Sequence, residues 1–368
     1  MQRPPAEPGM SEDQIDTPAL VIDLDTLESN LDAMAAYCKE AGVRLRAHAK
    51  THKSPVIARW QALRGAVGQC VQKVGEAEVL AWGGVDDILI SNEVIGPQKL
   101  ARLAALSRMS TVALCADDIH GIEQIEAAAQ FVSSRLTVLV EINVGSGRCG
   151  VDPGAPAIVL AERIARSKHL VFGGLQAYHG GAQHMRLSGE RETAVGIASE
   201  MTRRTVEQLS KAGLPCPVVG GAGTGTFAIE ALGGVYNEIQ AGSYVFMDAD
   251  YSRNQPPSTF RQSLFVLATV MSAARDGVAV VDCGHKGMAI DSGMPFVDGR
   301  EDIVYSSASD EHGTLRIDGT GNRLSVGERL RLIPGHCDPT VDRYDWYVGV
   351  RNRRVEMVFP VAARGMMQ

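Results

Sequence analysis

Residues 43–50 read VRLRAHAK, a run in which apolar Leu45, Ala47 and Ala49 alternate with basic residues, as in a half-buried strand. Further short runs rich in β-branched residues follow it: GQCVQK, DILISN, STVALCA, LTVLVEINV, VFGGLQAY, PCPVVGG and YNEIQAG. Helical patterns lie between them, at Val74–Trp82, Pro97–Leu106, Ile119–Gln130, Ala155–Arg166 and Arg191–Ala212. With PALVIDL and the helical stretch Thr26–Ala41 before them, eight or nine strand–helix repeats predict a parallel (β/α)₈ TIM-like barrel. An open doubly wound sheet ranks lower, because no GxGxxG follows an early strand.

The pattern changes after Asp248. Helical periodicity fades, and short alternating strands separated by turn residues take over: FVLATVMS, GVAVVDC, TLRID, RLRLIPG, WYVGVRN and RVEMVFPV. The predicted fold class is therefore α/β, a barrel followed by a C-terminal all-β domain. The predicted divisions are an N-terminal tail (1–16), the barrel (17–258) and the β domain (259–368).

Composition excludes several classes of protein. The 368 residues exceed the roughly 250–300 that one hydrophobic core supports, which favours two domains. A net charge of −7 without a basic stripe argues against nucleic acid as a partner. No apolar run reaches the roughly 20 residues of a membrane helix. Seven scattered cysteines without a CxxC pair fit a reducing compartment, so we expect a cytoplasmic protein.

Lys50 ends the predicted barrel strand VRLRAHA, and Arg44, Arg46 and His48 lie on the same strand face. Neighbouring cations lower the pKa of a lysine, and the neutral amine is the form that attacks an aldehyde. The carboxyl ends of barrel strands are also where such folds build their sites. The pattern predicts a reactive amine with a lowered pKa; the alternative is a solvated surface lysine.

Gly220–Thr226 reads GGAGTGT and follows a late barrel strand. Glycines let backbone N–H groups approach an anion, and Thr224 and Thr226 add hydroxyl donors, so the loop predicts a phosphate cradle. Ala241–Tyr244 could supply further donors. The alternative is a flexible turn.

Arg148 lies in the loop GSGRCG after another barrel strand. Its planar guanidinium suits a carboxylate or a phenolate oxygen, and the alternative is an exposed turn residue.

In the β domain, PGHCDP places His336 and Asp338 two residues apart. If that segment is extended, both side chains point to the same side and Cys337 to the other. An imidazole and a carboxylate suit a divalent ion such as Mn, Zn, Fe or Mg; the alternative is a polar strand end.

Nine segments carry a family resemblance: DTPALVIDLD, RAHAKTHKS, CVQKVGEAE, ISNEV, EINVGSGRCGV, LQAYHGG, GGAGTG, EIQAGSYVFMD and PGHCDPT. In this order they make nearly the whole chain resemble the D-threonine aldolase and D-serine dehydratase-like family, whose barrel is of the alanine-racemase type (PLP fold type III). The resemblance implies pyridoxal 5′-phosphate (PLP) and a divalent metal as cofactors. It also implies a homodimer that acts on a small-molecule D-β-hydroxy-α-amino acid.

The resemblance assigns roles to individual residues. Lys50 would carry PLP as a Schiff base, and His336 and Asp338 would hold the metal beside the substrate's β-hydroxyl. The residues that would line the cofactor are Gln72, Arg148, Tyr178, Gly223, Thr224, Gly225, Thr226, Gly242, Ser243 and Tyr244.

The resemblance also bears on the reaction. In the dehydratases of this family, the metal-binding motif resembles His-x-Cys. This chain has His-x-Asp at that place, which favours an aldolase with Mn or Mg as its metal. The expected reaction cleaves 3-hydroxy-D-aspartate to glycine and glyoxylate, and Arg186, Arg253 and Lys286 are candidates for binding its β-carboxylate. The alternatives are D-threonine cleavage to glycine and acetaldehyde, and dehydration. A racemase would leave the metal pair without a role, and a non-enzymatic cofactor-binding protein would leave the β domain unexplained.

Overall fold

The computed structural model describes residues 2–319 and 323–368. Its strands are β1 (Ala19–Asp23), β2 (Arg44–His48), β3 (Gly68–Val71), β4 (Asp87–Glu93), β5 (Thr111–Ala116), β6 (Leu136–Glu141), β7 (Leu170–Gln176), β8 (Val218–Gly221), β9 (Glu238–Ile239), β10 (Leu264–Arg275), β11 (Val278–Val281), β12 (Phe296–Val297), β13 (Ile303–Ala308), β14 (Gly313–Ile317), β15 (Arg329–Ile333), β16 (Trp346–Arg351) and β17 (Arg354–Pro360). The helices are α1 (Leu24–Ala41), α2 (Pro55–Ala62), α3 (Val74–Trp82), α4 (Pro97–Leu106), α5 (Ile119–Phe131), α6 (Ala155–Ala165), α7 (Ser188–Lys211), α8 (Phe227–Leu232) and α9 (Cys337–Val341).

Strands β2 to β9 form a closed parallel barrel, in which β9 returns to pair with β2. All eight predicted barrel runs supply one strand each, and α3 and α4 have the predicted bounds. The fold class predicted from the sequence is confirmed. Because all barrel strands are parallel, their carboxyl ends meet at one rim, and the loops after them share one surface.

The second unit is a nine-stranded sheet in the order β11-β14-β13-β12-β15-β10-β1-β16-β17. Strand β1 lies inside it, antiparallel to β10 and parallel to β16. The predicted barrel segment (17–258) therefore includes one strand that belongs to the other sheet. An amphipathic strand before a helix looks the same in either sheet, so periodicity could not place β1.

The N-terminal tail packs against the C-terminal sheet. Gly9 N–H donates to the carbonyl of Val355, and Glu12 N–H donates to that of Arg353. The Glu12 carboxylate also pairs with Arg331 on β15 at 2.6 Å. Backbone and ionic contacts thus fix the tail to the C-terminal sheet. No helix in the described part of the chain is long and apolar enough to cross a membrane.

Candidate active site at the carboxyl rim of the barrel

A cavity opens at the rim where the barrel strands end. It is lined by eight of the residues that the sequence predicted for the cofactor: Lys50, Gln72, Arg148, Tyr178, Gly223, Thr224, Gly242 and Ser243. These come from six different strand ends or loops, so only the closed barrel brings them together.

Three other predicted residues do not line this cavity. Gly225 N–H donates to the side-chain oxygen of Gln183 at 2.9 Å, and Thr226 Oγ1 accepts from Gln183 Nε2 at 2.8 Å. The Tyr244 ring is fully buried in the core, while its backbone N–H donates to Thr224 Oγ1 at 3.0 Å. All three therefore stabilise the conformation of the glycine loop without lining the cavity.

Glycine at position 242 is a geometric requirement of the cavity wall. A Cβ added there would lie 2.7 Å from Thr51 Oγ1 and 2.8 Å from the His48 carbonyl oxygen. Both distances are shorter than a van der Waals contact, and one partner is backbone that cannot rotate away. The cavity wall at this point therefore consists of the backbone of Gly242 and the hydroxyl of Ser243. Backbone N–H groups and a hydroxyl are the donors that bind a phosphate.

Lys50 lies just beyond the end of β2, with 43% of its side chain exposed and its Nζ 3.5 Å from Asp338 Oδ2. Burial alone would lower the pKa of Lys50, but the Asp338 carboxylate reverses the effect, and the net direction is upward. The predicted lowering of this pKa by its strand neighbours is therefore wrong for this structure. Arg46, one of those neighbours, points deeper into the barrel, where Glu238 and Asp87 neutralise it at 2.8 and 2.7 Å.

Ala222 of the predicted glycine loop also lines the cavity, with six residues that the sequence argument did not select: His48, Thr51, Ser91, Gln176, Gln240 and Tyr251. His48 is buried, with its Nε2 2.9 Å from the side-chain nitrogen of Gln72. Burial, reinforced by Lys50, holds the pKa of His48 well below its usual range, so the imidazole is neutral. Its position two residues before Lys50 on the same strand face was the available signal for it.

A second cavity meets the first at Lys50 and Gln72 and is lined by His336 and Asp338. The expected extended geometry of this pair is wrong: His336 is the N-cap of α9, and Asp338 lies in its first turn. His336 Nδ1 donates to Asp291 Oδ2 at 2.8 Å, which leaves Nε2 for a ligand. Cys337 is fully buried, and its N–H donates to Asp248.

The carboxylate of Asp338 is held in its charged form. Burial would raise the pKa of Asp338, but Lys50 and His336 outweigh it, and the net direction is downward. A charged carboxylate beside an imidazole whose other nitrogen is already engaged is a donor pair that suits a divalent cation. The two donors face the cavity that opens next to Lys50.

None of the three cations predicted to bind a β-carboxylate lines either cavity. Arg186 is held by the Asp250 carbonyl and by Asn254, both at 2.8 Å, and Arg253 by the Ser292 carbonyl at 3.0 Å. Lys286 pairs with Glu311 at 2.7 Å and lines a separate surface pocket. Sequence position gave no information on which cations face the substrate.

Arg343 does line the second cavity, although the sequence argument did not select it. Its Nε donates to the His285 carbonyl at 3.2 Å and its Nη1 to the Pro339 carbonyl at 3.0 Å. Within residues 2–319 and 323–368 no carboxylate forms an ion pair with it. Its charge is therefore available to a ligand.

The carboxyl rim of this racemase-like barrel brings together a lysine, a wall of backbone donors suited to a phosphate, and an arginine. These features define a class, the PLP-dependent barrel enzymes. The family models for the alanine racemase N-terminal domain and for a putative serine dehydratase domain match residues 22–250 and 263–350. The chain belongs to the D-threonine aldolase and D-serine dehydratase-like family and is a PLP-dependent carbon–carbon lyase of the aldolase type.

Individual relatives agree with this family. A 3-hydroxy-D-aspartate aldolase from Paracoccus denitrificans (strain Pd 1222) is 46% identical, over 98% of this chain and 95% of the relative. A D-threonine aldolase from an Arthrobacter species is 42% identical, over 98% and 96%. The crystal structure of D-threonine aldolase from Filomicrobium marinum superposes with a TM-score of 0.97 at 46% identity, covering 99% of this chain and all of that one.

Proposed function

We propose that the chain cleaves D-β-hydroxy-α-amino acids to glycine and an aldehyde, with 3-hydroxy-D-aspartate, which gives glyoxylate, as the preferred substrate. One observation carries the proposal: the Lys50 amine and the His336–Asp338 pair face each other where the two cavities meet. A substrate held on the cofactor beside Lys50 would thereby present its β-carbon to the pair. The similarity to 3-hydroxy-D-aspartate and D-threonine aldolases supports the same reaction.

The first cavity fits PLP. Lys50 offers the amine, and the wall at Gly223, Thr224, Gly242 and Ser243 offers backbone and hydroxyl donors for the phosphate. Arg148 adds a guanidinium for an anionic oxygen of the cofactor. Bound through Lys50, PLP supplies the electron sink that carbon–carbon cleavage requires.

The second cavity fits the metal. His336 through Nε2 and Asp338 through its carboxylate would hold a divalent ion, with Mn or Mg favoured because the carboxylate is a hard donor. When bound, the ion would polarise the substrate's β-hydroxyl and lower its pKa. Asp291 fixes the orientation of the His336 ring through Nδ1. The Lys50 amine, 3.5 Å from Asp338, would lie where it could donate a proton to the substrate's Cα.

The products test this proposal directly. Metal-loaded protein incubated with D-threonine and with both diastereomers of 3-hydroxy-D-aspartate should release glycine and the matching aldehyde, with higher kcat/KM for 3-hydroxyaspartate. Ammonia and a keto acid as the main products would show a dehydratase instead. Interconversion of the α-stereoisomers without cleavage would show a racemase. The homodimer and the cytoplasmic location stay predictions from the sequence.

Arg343 is the residue that we propose to bind the β-carboxylate. Of the lysines and arginines around the second cavity, Lys53 is already neutralised by Glu76 at 2.8 Å and Asp342 at 3.2 Å. Neither Lys73 nor Arg343 has such a partner among the described residues, but Arg343 is tied by its hydrogen bond to Pro339 to the helix that carries Asp338. A cation next to the metal pair is where the substituent on Cβ would lie.

Arg343→Gln should therefore separate the two substrates. We expect kcat/KM for 3-hydroxy-D-aspartate to fall about tenfold to a hundredfold, the usual cost of losing a charge-assisted hydrogen bond. The value for D-threonine should stay within about twofold. Steady-state kinetics with both substrates measures the ratio, and Lys286→Gln, at a cation outside both cavities, is the matched control. Equal losses for both substrates would exclude Arg343 as the β-carboxylate partner.

A further inference from the structure

A cluster of acidic and thiol side chains lies at the carboxyl rim, outside the lining of both cavities. Glu93 ends β4, Asp117 follows β5, and Cys149 lies in the loop after β6. One ligand atom from each residue lies within 4.8 Å of the other two. Three consecutive barrel strands thus direct two carboxylates and a thiol to one point.

Glu141 adds an independent observation. It is the last residue of β6 and only 5% exposed, and no described residue donates a hydrogen bond to its Oε2. Both carboxylate oxygens of Glu93 are buried and lack a donor in the same way. The two carboxyl groups face each other, but each oxygen is an acceptor, so neither group satisfies the other while both are charged.

Facing carboxylates in a dry environment need a compensating positive charge. Arg148 does not supply this charge through a direct contact, because its side chain is exposed and makes no hydrogen bond to Glu141 within the described part of the chain. The remaining sources of charge are a shared proton and a metal ion.

We propose that Glu93, Asp117 and Cys149, with Glu141 behind them, bind a divalent transition-metal ion of the zinc type. The thiol decides the class of ion, because thiolates favour zinc-like metals over Mg and Ca. Donor atoms around tetrahedral zinc lie about 3.5 Å apart, so a contraction of roughly 1 Å would close the site. Metal binding would deprotonate Cys149, whose pKa burial and Glu93 raise to about 11 in the metal-free cluster.

The position of the site indicates what it does. Cys149 is the neighbour of Arg148, which lines the cofactor cavity, and Gly150 N–H already donates to Asp117 Oδ2 at 2.9 Å. An ion here would fasten the loop Gly145–Gly150 to the ends of β4 and β5. Arg148 would then be a residue positioned by a structural metal, separate from the ion at His336 and Asp338.

Metal content in the Asp338→Ala background tests the proposal, because that substitution removes the other metal pair. PLP-loaded full-length protein is stripped with a chelator, reloaded with Zn²⁺ or Co²⁺, and desalted. We expect about one bound ion per chain and, with Co²⁺, a thiolate charge-transfer band. Adding Cys149→Ser should remove the band and lower metal content to below about a tenth of an ion, while Cys216→Ser, at another half-buried cysteine outside the cluster, should change neither.

Glu93→Gln provides a second variant that keeps the shape of the site and removes one charge. It should weaken zinc binding at least tenfold, with the far-UV circular dichroism unchanged. Asp338→Ala protein that retains no ion after desalting would overturn the proposal and leave a carboxyl pair that shares a proton. Retained zinc that does not respond to Cys149→Ser or Glu93→Gln would overturn it equally.

Discussion

Replacing Lys50 with alanine is expected to abolish the visible absorbance band of protein-bound PLP and to lower kcat by about a thousandfold or more. The physical reason is that Lys50 is the only lysine lining the first cavity, so the described wall offers no other amine to the cofactor's aldehyde. Absorbance spectra of the purified variant after reconstitution with PLP, together with single-turnover rates, measure both effects.

Lys73→Ala is the matched control for the cofactor band. Lys73 lines the second cavity but not the first, so its removal should leave the band intact. Circular dichroism of both variants separates loss of the cofactor from loss of fold. An unchanged visible band in Lys50→Ala would refute the assignment of the Schiff-base lysine.

Asp338→Ala should remove the active-site metal and lower kcat/KM by about a hundredfold or more, since Lewis-acid polarisation supplies several kcal/mol to such reactions. The variant should retain PLP, because Asp338 does not line the first cavity. After chelator treatment, Mn²⁺ should restore the wild type and fail to restore Asp338→Ala. Spectroscopy of the cofactor band and metal-dependent rates give the two readings.

His336→Ala distinguishes the effect of losing the metal from the effect of losing the Lys50–Asp338 ion pair. Asp338 also neutralises Lys50 at 3.5 Å, so its removal changes the lysine as well as the metal pair. His336 has no hydrogen bond to Lys50, and its substitution should still cause the metal-dependent loss. Full activity of Asp338→Ala in the presence of chelator would contradict a role for the metal.

The barrel was predictable from sequence because each strand–helix repeat carries its own periodicity. Strand β2 and helix α4 illustrate this, since their apolar positions recur at two and at three to four residues, respectively. Strand β12 has only two residues and helix α9 only five, which is too short for any period to show. The partners of β1 were hidden for another reason: pairing is decided by contacts with residues about 240 and 330 positions away.

The candidate site was predictable where a residue's chemistry and its place at a strand end coincide, as for Lys50 and Thr224. It was not predictable where a side chain could turn either way at the rim. Tyr244 turns into the core while Ser243 beside it lines the cavity, and Arg343 faces the second cavity whereas Lys286 does not. The pKa of Lys50 could not be predicted either, because Asp338 approaches it from 288 residues further along the chain.

The central place of β1 in the nine-stranded sheet has a consequence for how the chain assembles during synthesis. Residues 19–23 are synthesised about 330 residues before their neighbour β16. An isolated fragment 259–368 would lack the strand that joins β10 to β16, and its sheet would separate into two pieces. Gln2 also contacts the segment before β16: Gln2 N–H donates to Asp345, and Trp346 Nε1 donates to the Gln2 carbonyl. The nine-stranded sheet is therefore completed only when both β1 and the segment from β10 to β17 are present, whereas the barrel strands β2 to β9 lie in one uninterrupted stretch between them.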